Sequence, residues 1–77
     1  GLVIYQQPVE DILNIRTSHA ARMISVYNLS GQQMIQQKES GDRKEYSIPV
    51  GGLDAGCYIV VLQSADGKIY RSKFMKR

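Results

Sequence analysis

Cys57-Tyr58-Ile59-Val60-Val61-Leu62, bounded by Gly56 and by Asp66-Gly67, is the stretch that decides the fold. Read with a period of two, Tyr58, Val60 and Leu62 share one face, and Cys57, Ile59 and Val61 the other. A short apolar run rich in β-branched and aromatic residues and closed by glycines reads as a strand rather than an interior helix. Both faces are apolar, so this strand is expected at the centre of a sheet and covered on both sides.

The same period recurs on either side. Residues 23–28 set Ile24 and Val26 against Met23, Ser25 and Tyr27. Leu2–Tyr5 gives a short first strand, and Ile12–Arg16 a second with Leu13 and Ile15 inward. Lys44–Val50 puts Tyr46, Ile48 and Val50 on one face. Lys68–Met75 sets Tyr70, Ser72 and Phe74 opposite Ile69, Arg71, Lys73 and Met75. Gln32–Gln37 has Met34 and Ile35 on opposite faces, so its buried side stays open; its glutamines suit a wet edge. Residues 18–23 hold too little helical material for more than one turn and read as a connection.

The punctuation between these runs fits hairpins. Leu29-Ser30-Gly31 would join strands three and four, and Glu39–Asp42, with Gly41, strands four and five. Ala65-Asp66-Gly67 is the strongest turn signal, because Asp-Gly accepts the positive φ of a type I′ turn. Gly51-Gly52 and Gly56 bracket a longer crossing around Leu53-Asp54-Ala55, from one sheet to the other. Seven short strands so spaced predict an all-β chain folded as a small antiparallel β-sandwich.

Composition sets the limits. With 77 residues, 43% of them hydrophobic, the chain has enough apolar material for one core, hence a single domain over 1–77. No apolar run is long enough to span a bilayer, and no amino-terminal signal peptide is present in this stretch. One cysteine permits no internal disulfide. So shallow a core rarely supports a deep catalytic pocket.

Side chains that bear chemistry are few. His19 is the only histidine and has no Cys nearby, so it reads as a solvated loop residue rather than a metal ligand. Cys57 opens an apolar strand, where a free thiol packs as a small hydrophobe. Glu10 and Asp11 point to opposite faces if extended, and Asp54 and Asp66 sit in separate loops; no acid pair for hydrolysis is expected. Gly51-Gly52 and Gly56 lack the Lys-Ser/Thr of a phosphate-binding loop. No catalytic residue, metal or cofactor is expected, and the chain does not read as an enzyme.

Charge is distributed unevenly. The net charge is +3, yet residues 1–67 carry five basic and seven acidic side chains. Lys68, Arg71, Lys73, Lys76 and Arg77 stand in the last ten residues with no acid among them. A basic final strand can present charge and backbone groups to a partner, and lysines on an edge strand also block sheet-to-sheet aggregation. Nucleic acid is not expected, because Tyr70 and Phe74 share the core-facing side and leave no stacking platform.

In order and spacing these motifs resemble the C-terminal sorting domains of the type IX secretion system. Tyr5-Gln6-Gln7-Pro8-Val9-Glu10-Asp11-Ile12-Leu13-Asn14-Ile15 is similar to the family's opening Tyr-Pro-Asn-Pro and following strand, with Gln6 and Gln7 in place of Pro and Asn. Val26-Tyr27-Asn28-Leu29-Ser30-Gly31-Gln32 resembles its strand, turn and Gly-Gln. Leu53-Asp54-Ala55-Gly56-Cys57-Tyr58 resembles its Leu-x-x-Gly-x-Tyr, and Lys73-Phe74-Met75-Lys76-Arg77 its basic-apolar ending.

The resemblance implies an immunoglobulin-like β-sandwich at the end of a larger cargo protein. It implies passage through the periplasm and recognition by an outer-membrane translocon. It further implies removal by a sortase-like peptidase as the cargo is attached at the cell surface or released. Lys73, Phe74, Met75, Lys76 and Arg77 are then the candidates for translocon recognition, the charged face and tail staying accessible. Tyr5, Pro8, Gly31, Gly56 and Tyr58 keep the fold, Gly56 by relieving a close approach and Tyr58 by burying its ring. The alternative is a generic cell-surface spacer, adhesion or glycan-binding module. Exposed edges also leave open a strand-swapped homodimer.

Overall fold

The computed structural model describes residues 1–5 and 7–77. The seven strands are β1 (Leu2–Ile4), β2 (Ile12–Thr17), β3 (Ala21–Asn28), β4 (Gln33–Lys38), β5 (Glu45–Pro49), β6 (Gly56–Ser64) and β7 (Ile69–Lys76). They form two antiparallel sheets, β1-β2-β5 and β4-β3-β6-β7. The small all-β sandwich expected from the period of two is therefore present.

The core lies between the sheets and follows the alternation. Leu13, Ile15, Tyr46, Ile48 and Val50 face Ile24, Val26, Tyr58, Val60, Leu62 and Phe74, all buried. Each fully buried aliphatic side chain contributes about 1.5–3 kcal/mol relative to exposure. Val9 and Ala21 complete this buried cluster. On β4, Ile35 packs against the core while Met34 is exposed, which resolves the side left open by the sequence.

Two buried tyrosines need partners for their hydroxyls, and both find backbone. Tyr58 Oη donates to Asp54 O at 2.6 Å, four residues upstream. Tyr46 Oη donates to Arg43 O at 2.6 Å and accepts from Ala21 N at 2.8 Å. Each is the tyrosine-corner device, in which a phenol ties a strand to the loop that feeds it. Among the described residues no buried side-chain N or O lacks a partner.

The two hairpins of the larger sheet are built alike. At the β3–β4 turn Asn28 N donates to Gln32 O and Gly31 N to Asn28 O, both at 3.0 Å. At the β6–β7 turn Ser64 N donates to Lys68 O at 2.9 Å and Gly67 N to Ser64 O at 3.0 Å. Gly31 (φ +89°) and Gly67 (φ +86°) hold the left-handed position that follows each turn. The Ala65-Asp66-Gly67 loop is therefore not the type I′ turn expected; its bond closes one residue earlier, around Ala65-Asp66, and the glycine comes after it.

Four further expectations are corrected. Glu39–Asp42 does not join a hairpin: β4 and β5 lie in different sheets, so this segment crosses between them, as Gly51–Ala55 does. Ala21 and Arg22 belong to β3 rather than to a connection, and the pairing with β6 shifts register between Ala21 and Met23. A Cβ on Gly56 would meet nothing within 4 Å; its φ of +149°, not a close approach, is what favours glycine there. Finally, β6 is central but covered on one side only. Cys57, Ile59 and Val61 are half-buried among their strand neighbours, and the 18 Å short dimension of the molecule leaves room for two layers and no third. Cys57 is thus a half-exposed thiol, its Sγ 3.7 Å from Met75 Sδ, and not a core residue.

Candidate functional site

The five candidate recognition residues all lie on β7 or directly after it, and the alternation divides them. Phe74 points inward, 2% exposed, its ring stacked on Tyr58 at 5.7 Å between centroids. Lys76 shares that side and is 7% exposed; its Nζ donates to Arg77 O at 2.7 Å. Lys73 and Met75 point outward and are exposed, as is Arg77. The expectation that the whole charged face is accessible therefore fails at Lys76, because even-numbered residues of β7 turn toward the core.

β7 is paired on one side by β6 along its whole length, from Gly56↔Lys76 to Gln63↔Ile69. On its other side, the hydrogen bonds of the described residues fall near its end. Val9 forms an isolated parallel bridge to Lys76. Val9 N donates to Met75 O and Arg77 N donates to Val9 O, each at 2.8 Å. The Gln7 side-chain Oε1 accepts from Met75 N at 3.1 Å. Glu10 Oε1 lies 3.1 Å from Arg77 Nη1, an exposed ion pair. Residues 7–10 thus clasp residues 75–77. Gln6, the other departure from the family's opening, lies outside the described residues.

Sequence reasoning did not find this clasp. Glu10 and Arg77 are opposite charges at opposite ends of the chain, and no local pattern links them. Pro8, exposed, sits between the two clasping residues Gln7 and Val9. Tyr5 is half-buried on the three-stranded sheet, where Arg16 lies over its ring at 5.3 Å and its hydroxyl donates to Glu45 at 3.3 Å. The Arg16 guanidinium, hydrogen-bonded to Glu45, holds that carboxyl below the ordinary carboxylate range.

The remaining chemistry-bearing residues are scattered. His19 is exposed in its loop, as expected, and its ring stacks on Tyr70 at 5.5 Å. Asp66 accepts a short hydrogen bond from Ser64 Oγ, which lowers its pKa. Among the described residues no group of three or more His, Cys, Asp or Glu side chains is placed to hold a metal ion. Glycan binding on a sheet face calls for exposed aromatic rings; Tyr46 is buried and Tyr27 and Tyr70 are half-buried.

Comparison with known proteins agrees with the motifs. The family described as the secretion system C-terminal sorting domain matches residues 3–77. A funoran endo-beta-hydrolase of Wenyingzhuangia aestuarii is 39% identical over 77 residues, which cover 96% of this chain and 10% of that protein. This chain therefore spans about a tenth of that relative's length. Among solved structures, CopC from Methylosinus trichosporium OB3b superposes with a TM-score of 0.53, at 19% identity, covering 88% of this chain and 78% of CopC; the likeness is one of fold.

Proposed function

From the premise that this chain belongs to the family of type IX secretion C-terminal sorting domains, we propose that it directs an upstream cargo through the outer membrane by presenting its terminal strand to the translocon. The family match across residues 3–77 carries this reading. The roles divide by orientation. Lys73 and Arg77, exposed cations, make the charged contact, with the exposed Met75 beside them. Phe74 and Lys76, turned inward, set the strand's position. The cargo passes through the periplasm, and a sortase-like peptidase removes the domain as the cargo is attached at the cell surface. The domain itself acts as a signal and performs no catalysis.

The test is transport of a neutral reporter fused ahead of this domain in a cell with a type IX system. Deleting residues 73–77 leaves the reporter in the periplasm. That deletion also removes core residue Phe74, so the paired change Lys73→Glu and Arg77→Glu separates contact from folding. Surface attachment of this charge-reversed fusion at the normal level overturns the assignment of those residues.

A further inference from the structure

Among the described residues nothing packs across the outer face of the four-stranded sheet. Its centre is apolar. Tyr27, Ile59 and Val61 are half-buried there, and Leu29 and Ile69 stand exposed at 62% and 48%. Together they line an open groove of about 450 Å³, with Arg71 at its edge. A contiguous apolar face on a small soluble fold marks an interaction site more often than chance exposure.

Charge identifies what the groove receives. None of the strands β3, β4, β6 and β7 contains an Asp or Glu. The register places Lys38 on the outer face opposite Met23, Arg71 opposite Val61, and Lys73 opposite Ile59. Among the described residues the ion pairs involve Arg16, Arg43 and Arg77, so these three outer-face cations have no acid partner. A second copy of the same face would set like charges against each other. A lipid surface would meet the exposed Leu29 and Ile69, whereas the side chains of a partner protein also reach the half-buried Tyr27, Ile59 and Val61 that line the groove with them.

We infer that this face is a docking surface for a partner protein that presents apolar side chains flanked by carboxylates. Apolar contact in the groove supplies the affinity, and Lys38, Arg71 and Lys73 set orientation and association rate. Lys73 belongs both to this surface and to the 73–77 segment, but Lys38 and Arg71 lie outside that segment, so the surface can be altered through them while residues 73–77 stay intact.

The test uses the 77-residue chain and a synthetic peptide in which leucine alternates with glutamate, followed by amide chemical shifts. Saturable shifts at Ile59, Val61 and Ile69 are expected, absent with a leucine–lysine peptide. Lys38→Glu combined with Arg71→Glu weakens binding by about tenfold or more while the spectrum keeps its dispersion. If that variant does not fold, Lys38→Gln with Arg71→Gln gives the same reading with a smaller loss. Four results overturn the inference: no shift on this face; equal binding of the lysine peptide; the same shifts produced by phosphatidylglycerol vesicles, which would make it a membrane surface; or concentration-dependent self-association through this face.

Discussion

Val9 and Met75 are joined by a backbone hydrogen bond of 2.8 Å, and the bridge is completed by Arg77 N on Val9 O. The side chain of Val9 is buried as well, 2% exposed. Val9→Ala removes two methyl groups from this site and is expected to cost about 1.5–3 kcal/mol. Hydrogen exchange should give the clasp an opening of its own: the amides of Met75 and Arg77 exchange at a lower opening free energy than that of Val60. Equal opening free energies at all three would mean that the clasp opens only with the whole domain. Glu10→Gln, which removes only the exposed ion pair, should change stability by less than about 1 kcal/mol.

Phe74 and Lys73 are neighbours with opposite roles. Phe74→Ala should cost about 3–5 kcal/mol, since it empties a core position beneath Tyr58. Lys73→Ala should stay within about 0.5 kcal/mol, as its side chain is exposed. Urea unfolding of both variants checks this. An export defect in Lys73→Ala without a stability defect assigns that residue to recognition.

The two corner tyrosines should differ in worth. Tyr46→Phe strips Ala21 N of its acceptor and Arg43 O of its donor at a buried junction, at a cost of about 1–3 kcal/mol. Tyr58→Phe loses one bond, to a carbonyl in the β5–β6 crossing, and should cost about 1 kcal/mol. Chemical denaturation that reverses this order would contradict the pairing described.

Glycine replacements separate backbone need from mere space. A Cβ on either Gly31 or Gly52 meets nothing within 4 Å, yet only Gly31 has a left-handed φ. Gly31→Ala should lower stability by about 1–2 kcal/mol. Gly52→Ala should be neutral or slightly stabilising, through the unfolded chain. Thermal melts of the two variants decide it.

Acid should weaken the fold through two carboxylates. Glu45 is held below its ordinary pKa by the Arg16 hydrogen bond, and Asp66 below its own by Ser64. A lowered folded-state pKa gives stability that is present above the unfolded value and lost as pH falls through the folded one. Stability should therefore decline through and below the ordinary carboxylate range. Glu45→Gln should flatten that decline, slightly because the pair is exposed, in a series of denaturation curves against pH.

Much of the fold was legible because sheet burial repeats every two residues. The alternation of Tyr46, Ile48 and Val50, and of Tyr58, Val60 and Leu62, assigned the core face correctly. What alternation does not carry is which sheet a strand joins. Glu39–Asp42 has the composition of a hairpin turn, but Ser, Gly and Asp serve a crossing equally well. Apolar residues on the uncovered face of β6 have the same pattern as buried ones, so the sequence does not distinguish the two. At the site, the inward turn of Phe74 followed from its period. The burial of Lys76 did not, since its aliphatic stem packs while its ammonium reaches Arg77 O. The hold of Gln7, Val9 and Glu10 on the tail depends on tertiary proximity alone.

The like construction of the β3–β4 and β6–β7 turns has a kinetic consequence. Each turn is fixed by its own residues and brings together strands adjacent in sequence, so either hairpin can form early, on the order of microseconds. Joining them requires β3 to find β6 across an intervening crossing into the other sheet, and that closure is the entropically costly one. The central seam of the larger sheet, not its turns, is then where the folding barrier lies.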